Sequence, residues 1–228
     1  RCIFLEDDQI PSVSYFRFCA ELLEKYKDDE ILYLAGSSAA SGTYQSAVLA
    51  KGDVDDNITI FDTFNLSIGA GPLVIKACEM VEKGLSVDEI DKNLENLKND
   101  IEVIFSVDTL EYLKKGGRIS STKAALGSLL NIKPILKIED GLVKQKTQVR
   151  GSKKIIPTLI EKLKEEIGDD FSDKDIYVGY GDDLETNEKF VEKVKEELSP
   201  KNVYTFRIGS CVACHSGPTV IGIACLNK

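Results

Sequence analysis

Among its 228 residues the chain has one histidine, no tryptophan and one methionine. A single histidine, His215, excludes a metal site built from several imidazoles and leaves no choice of general base among histidines. Basic residues are also in deficit: 29 Lys and Arg stand against 38 Asp and Glu, a formal net charge of -9. That balance argues against a surface built to neutralise a phosphate backbone. No apolar run reaches the ~18 residues that a membrane-crossing helix needs. No secretory hydrophobic segment is visible, so a cytoplasmic location is expected. Six cysteines are too sparse for a disulfide scaffold at this length. Cys2, Cys19, Cys78 and Cys225 stand alone in apolar settings and read as buried free thiols. Pro-rich linkers, internal repeats and low-complexity tracts are absent.

What is present is ordinary globular material, 43% hydrophobic and 29% charged, enough to bury a sizeable core. Pro11-Ser12 opens an expected helix with Ser12 as its N-cap. Strands are expected near Glu30 to Ala35 and Ile58 to Phe61, with helices from about Tyr44 to Ala50 and Leu66 to Glu82. Ser86-Val87-Asp88-Glu89 has the spacing of a capping box. Strands alternating with helices in this half predict a parallel sheet. The pattern then changes. Ile101 to Val107 reads as a strand, Leu110 to Lys115 as a short helix stopped by Gly116-Gly117, and Ser121 to Leu130 as a helix. Ile132 to Ile138 and Leu142 to Val149 flank Glu139-Asp140-Gly141, which predicts a hairpin. A long helix from Ser152, a strand from Ile176, a helix from Glu185 and strands near Val203 and Val220 complete a mixed sheet. The expected organisation is therefore α/β in two domains, residues 1–100 with a parallel Rossmann-like sheet and residues 101–228 with a mixed sheet.

Three places hold candidate binding groups. The segment from Gly36 to Thr43 links a strand to a helix, and such a start supplies unpaired N–H groups and partial positive charge. Ser37, Ser38, Ser41 and Thr43 add hydroxyls there, and Gly42 lets the backbone come close to a ligand. Arg150 ends a strand and offers a fixed positive charge to a carboxylate or phosphate, and Arg118 raises the same question after its two glycines. His215 stands in Cys211-Val-Ala-Cys214-His215-Ser-Gly217-Pro218, where Gly217-Pro218 predicts a turn that holds the imidazole beside a loop. The same segment carries the spacing of c-type haem attachment, with Met80 as the remaining axial candidate. It also carries a partial zinc set that Cys225 could extend, and a redox pair. Gly217 and Pro218 speak against the helix that a redox pair normally begins.

Four segments in order then match one family. Asp108-Thr-Leu-Glu-Tyr-Leu-Lys-Lys-Gly-Gly-Arg-Ile-Ser120 is the most specific. Ser37-Ser-Ala-Ala-Ser-Gly-Thr-Tyr-Gln-Ser-Ala47, Val149-Arg-Gly-Ser-Lys-Lys154 and His215-Ser-Gly-Pro218 are the others. From about Pro11 to its end the chain resembles the DegV family of fatty-acid-binding proteins, called FakB-like where an acyl kinase is the partner. The resemblance implies two α/β domains with one long-chain fatty acid between them, its chain in an apolar tunnel and its carboxylate near the domain interface. It implies that Ser41 hydrogen-bonds the carboxylate, with His215 beside it and Arg150 in the same polar network. It further implies a carrier that needs no cofactor or metal and presents its ligand to a separate fatty-acid kinase, with no catalysis of its own.

Two departures stand out. Asp8 occupies the place of a family threonine that touches the carboxylate; ionised it would repel that group, protonated it could donate to it. The family's opening strand with its Asp-Ser-Thr turn is absent and the chain begins at Arg1. About one strand and helix are therefore expected to be missing or carried separately, leaving a sheet position vacant. The enzyme alternative is a hydrolase or phosphoryl-transfer enzyme using Ser41 with His215, although no Gly-x-Ser-x-Gly elbow or P-loop spacing is present.

Overall fold

The computed structural model describes residues 2–3, 21, 25–26, 28–52, 57–119 and 131–227. Asp8, the helix expected from Ser12 and the helix expected over 121–130 lie outside the described residues.

Two sheets organise the chain. The smaller is parallel in the order β1 (Cys2–Ile3), β2 (Ile31–Ala35), β3 (Ile58–Asp62). Between β2 and β3 runs α1 (Thr43–Lys51). After β3 come a 3-10 turn at Ser67–Gly69, then α2 (Gly71–Glu82) with Pro72 in its first turn, where a missing N–H costs nothing. Next is α3 (Val87–Leu97), which has the expected capping box: Ser86 Oγ accepts from the Glu89 N–H, and the Glu89 carboxylate accepts from the Ser86 N–H at 2.9 Å.

The larger sheet uses β4 (Ile101–Ser106), β5 (Ile132–Glu139), β6 (Leu142–Arg150), β7 (Asp175–Tyr180), β8 (Asn202–Arg207) and β9 (Ile221–Leu226). Their order is β6-β5-β4-β9-β7-β8, with β7–β8 a parallel pair and the other neighbouring pairs antiparallel. Short α4 (Glu111–Lys115) follows β4, and α7 (Ser210–Ser216) lies between β8 and β9. The longer α5 (Ile155–Ile167) and α6 (Leu184–Leu198) cover one face of this sheet, where Leu159, Leu163, Phe190 and Val194 pack on Ile104, Val178 and Ile223. The opposite face meets the small sheet. One continuous core cluster joins Leu32, Leu34 and Phe61 to Val103, Tyr177 and Ala224, with Leu73 of α2 and Ile90 of α3 alongside. All strands of the small sheet precede Asp100 and all strands of the large sheet follow it, while the core between them is shared.

Two cysteine expectations separate here. Cys225 is buried in β9, and burial pushes its thiol up to about 12. Cys78 is exposed on α2, contrary to the reading of a buried thiol, because α2 turns its Leu73 and Ala77 stripe to the core and leaves position 78 outside.

The β5–β6 hairpin turns on Asp140 and Gly141, both with positive φ (54° and 72°), as an Asp-Gly turn with the twist of the strands requires. Beside it the Glu139 carboxylate accepts from Lys137 and, at 2.7 Å, from Lys144. These two ammonium groups hold its carboxyl down at about 2. A carboxylate with a depressed folded pKa adds stability that is complete above its unfolded value, 4.5, and is lost as the pH falls from there towards 2. Protection factors of the β5–β6 amides, measured against the intrinsic exchange rate at each pH, are expected to fall over that interval, and Glu139→Gln to remove the component. The group is exposed, so the effect is small. An unchanged profile in Glu139→Gln would show that the network contributes nothing to the hairpin.

Candidate functional site

The serine loop after β2 is built from within. Ser37 is fully buried, and its N–H donates to the Asn65 carbonyl at 2.9 Å. Its own carbonyl accepts from the Ala40 and Ser41 N–H groups, which winds the loop into a turn ahead of α1. Its hydroxyl donates across to the Gly141 carbonyl at 2.7 Å, tying the loop to the hairpin tip of the other sheet. A Cβ at Gly141 would stand 2.3 Å from that hydroxyl, so the contact needs glycine for its space as well as for its positive φ. Ser41 emerges from this turn half-buried, its Oγ accepting from the Thr43 N–H at 3.1 Å and sharing a hydrogen bond with the Thr43 hydroxyl at 2.8 Å.

The second wall comes from α4 and α7, which pack on each other. Two contacts join them. The Tyr112 ring lies over Gly217, and the His215 ring lies on Gly116 so closely that an added Cβ would meet Nδ1 at 2.1 Å. This explains why the Glu111-to-Arg118 and His215-to-Pro218 segments go together: each supplies the glycine that the other's ring covers. Gly217, with φ 83°, ends α7. The Arg118 guanidinium donates to the Gly116 carbonyl at 2.7 Å, which sets it and His215 on the same short stretch of chain.

Between these walls lies a cavity of about 940 Å³ of space free of protein atoms, its open mouth included. Its lining is mostly apolar: Leu66 and Ile68 from the 3-10 region, Val103 and Phe105 from β4, Ile138 and Val143 from the hairpin, and Ile208, Val212 and Val220 from the last third. Gly179 of β7 and Gly222 of β9 face each other across the strand pair and form a floor without side chains, into which Ile68 presses. Ser41, Thr43, Ser67, Arg118, His215 and Ser216 are the polar groups in the lining.

Ser41 and His215 thus lie on one cavity. Ser38 and Gly42 are exposed and stand outside the lining, as does Arg150 at the exposed end of β6. Arg118, weighed in the sequence but not chosen, is the arginine on the wall. Thr43, one of the loop hydroxyls seen in the sequence, also lies on the wall, two residues after Ser41 at the start of a helix, where hydroxyls bond back to each other. His215 stands beside the turn at Gly217-Pro218, and the structure adds that it does so from a helix. It occupies the last turn of α7, because packing against α4 makes a helix of a segment with no cap signal. Met80, the remaining haem-ligand candidate, packs against the core shared by the two sheets and does not line the cavity. Among the described residues no three His, Cys, Asp or Glu side chains are grouped so as to hold a metal ion.

Comparison with known proteins adds to this geometry. The family described as "Uncharacterised protein, DegV family" matches residues 7–228. A fatty acid-binding protein of Thermotoga maritima is 39% identical over 224 residues, which are 93% of this chain and 74% of that protein. A fatty-acid-binding DegV family protein from Thermus thermophilus has a similar structure, with a TM-score of 0.82 and 34% identity over 96% of this chain and 78% of its own. A stearic acid-binding protein from Eubacterium ventriosum also gives a TM-score of 0.82, at 26% identity, covering 96% and 77%.

Proposed function

The chain belongs to the DegV family, and from that premise we propose that it binds one long-chain fatty acid in the cavity between its two sheets and acts as a carrier for it. The observation that carries the reading is the cavity itself: an apolar lining that includes a hydroxyl pair, an imidazole and a guanidinium. An alkyl chain of about fifteen methylenes gains on the order of 12 kcal/mol on burial, before the costs of association. A buried carboxylate opposes this by several kcal/mol unless it is paired or hydrogen-bonded. Ser41 and Thr43 hydroxyls and the Arg118 charge offset that cost, and His215 donates from its ring. In this reading Ser41 and His215 hold the carboxylate, with Arg118 and Thr43 behind them. Ser38, Gly42 and Arg150 are left as outer members, and Asp8 remains the family-position residue to be tested by substitution.

The division into units of residues 1–100 and 101–228 is part of the same proposal, supported by the separation of the two sheets along the chain. So are cytoplasmic residence and delivery of the ligand to a separate fatty-acid kinase. No helix among the described residues is long and apolar enough to cross a membrane, and the relatives are described as binders of fatty acids. The protein performs no chemistry on its ligand in this reading.

Native mass spectrometry of the purified protein, followed by lipid extraction, tests it. One adduct with the mass of a long-chain fatty acid is expected, and Ser41→Ala is expected to weaken binding about tenfold, the worth of one charge-assisted hydrogen bond, and so to lower the adduct's occupancy. A haem-sized covalent adduct would overturn the reading. Turnover of a chromogenic ester that disappears in Ser41→Ala would do the same in favour of a hydrolase.

A further inference from the structure

The spacing Cys211-Val-Ala-Cys214 stands on α7 directly after β8. A strand followed by a helix is the setting in which two cysteines at this spacing do redox chemistry. The objection raised by Gly217 and Pro218 falls away, since the helix is present and Gly217 only ends it. The two thiols differ in a useful way. Cys211 is buried in the cavity wall, on the same helix as the lining residues Val212, His215 and Ser216, while Cys214 is exposed to solvent. Both are free thiols. Residues three apart on a helix have α-carbons about 5 Å from each other, within the span that a disulfide bridges. The β-carbons of such a pair stand about 5–6 Å apart and a disulfide brings them to about 4 Å, so closing the bond asks the side chains to turn and the backbone of α7 to tighten locally.

We propose that Cys211 and Cys214 form a reversible disulfide that weakens ligand retention in the cavity, a redox gate that rests on the fatty-acid reading given above. The oxidant is a low-molecular-weight disulfide. The Cys214 thiolate, which solvent reaches, attacks it and expels one small thiolate, leaving a mixed disulfide on Cys214. The Cys211 thiolate then attacks Cys214 Sγ and expels the second. Two electrons pass to the reagent, and the two thiol protons end on the two small thiols released. The new bond draws Cys211 Sγ out of the apolar wall towards Cys214. It also strains the last turn of α7, where His215 rests on Gly116. Both changes act on the bound ligand, one on the wall beside its chain and one on the imidazole proposed for its carboxylate. A small thiol in excess reverses the exchange.

The test uses the full chain loaded with cis-parinaric acid, a fluorescent long-chain fatty acid, in reduced and oxidised glutathione buffers. Alkylation and peptide mapping report the state of each cysteine, and separate the pair from Cys78, also exposed. Displacement by excess oleate gives the dissociation rate. The expected result is a 211–214 disulfide in the oxidising buffer with dissociation about fivefold faster or more, since such changes appear in off-rates, all reversed by dithiothreitol. Cys214→Ser, which leaves the wall intact, is expected to bind normally in reducing buffer and to lose the response to oxidation; Cys211→Ser is expected to lose it too. Glutathione captured on Cys214 with Cys211 still a thiol would overturn the proposal, and so would a closed disulfide with an unchanged off-rate. Failure of the reduced protein to bind the probe would bring down the fatty-acid reading and the gate with it, while the mapping would still report whether the pair closes.

Discussion

Gly116→Ala is expected to weaken fatty-acid binding about tenfold or more while leaving the protein close to its original stability. Gly116 has ordinary helical angles, φ -75° and ψ -5°, so alanine fits its backbone. Alanine is also a better helix former, which removes any local penalty. The added methyl, however, would stand 2.1 Å from His215 Nδ1 and 2.9 Å from Cε1. The ring must rotate off Gly116 or α7 must slide, and either movement takes the imidazole from its place on the wall. Arg118, bonded to the Gly116 carbonyl, moves with it. Loss of one hydrogen bond to a charged group costs about 1.5–3 kcal/mol, or about ten- to a hundredfold in affinity. Titration with a fluorescent fatty acid and a thermal melt separate the two effects. His215→Ala should give a similar loss, and the double variant little more, because both changes remove the same contact. Unchanged affinity in Gly116→Ala at unchanged stability would show that His215 does not serve the head group.

Gly181→Ala is expected to destabilise the whole molecule by about 3 kcal/mol or more. Gly181 follows β7, and its N–H donates to the Val220 carbonyl at 2.8 Å; the next N–H, of Asp182, donates to the Pro218 carbonyl at 2.8 Å. A Cβ at position 181 would fall 1.8 Å from that Pro218 oxygen and 2.7 Å from its carbon. Main chain meets main chain there, and no flexible side-chain end can yield. The end of β7 and the segment entering β9 must separate, breaking both hydrogen bonds and shifting Val220, which lines the cavity. For a chain of this size the loss corresponds to a fall in Tm of about 6–12 °C. A melt within a degree or two of the original would show that the approach relaxes without cost. Together the two substitutions distinguish a glycine that makes room for a functional ring from one that makes room for the fold.

Much of the architecture was legible because its signals are local. Ser86 and Glu89 announce the start of α3 by spacing alone, and Asp140-Gly141 announces the hairpin because few other residues accept two successive positive φ angles. Pro72 marks the first turn of α2. The helix α7 was not legible. Its seven residues, Ser-Cys-Val-Ala-Cys-His-Ser, begin at a glycine without a capping side chain and are too few to display a helical period. The segment is a helix because Tyr112 and Gly116 of a distant segment pack against it. Exposure of Cys78 was hidden for the same kind of reason, since a position's outward direction depends on which face the core claims.

The sequence by itself determined the class of fold and the division of strands into a parallel and a mixed set, while the pairing of a serine loop with the lone histidine was implied by the family resemblance. These follow from turn chemistry, periodicity and motif order, which need no knowledge of distant neighbours. The tertiary structure alone decided which polar groups share the cavity: Arg118 and Thr43 join Ser41 and His215 on its wall, while Arg150, Ser38 and Gly42 stand outside it. A cavity wall is assembled from side chains far apart in the chain, brought together by the shared core of two sheets and by glycines that leave space for Ile68 and His215. Which residue faces such a space is set by packing, and packing is the one property that no short stretch of sequence contains.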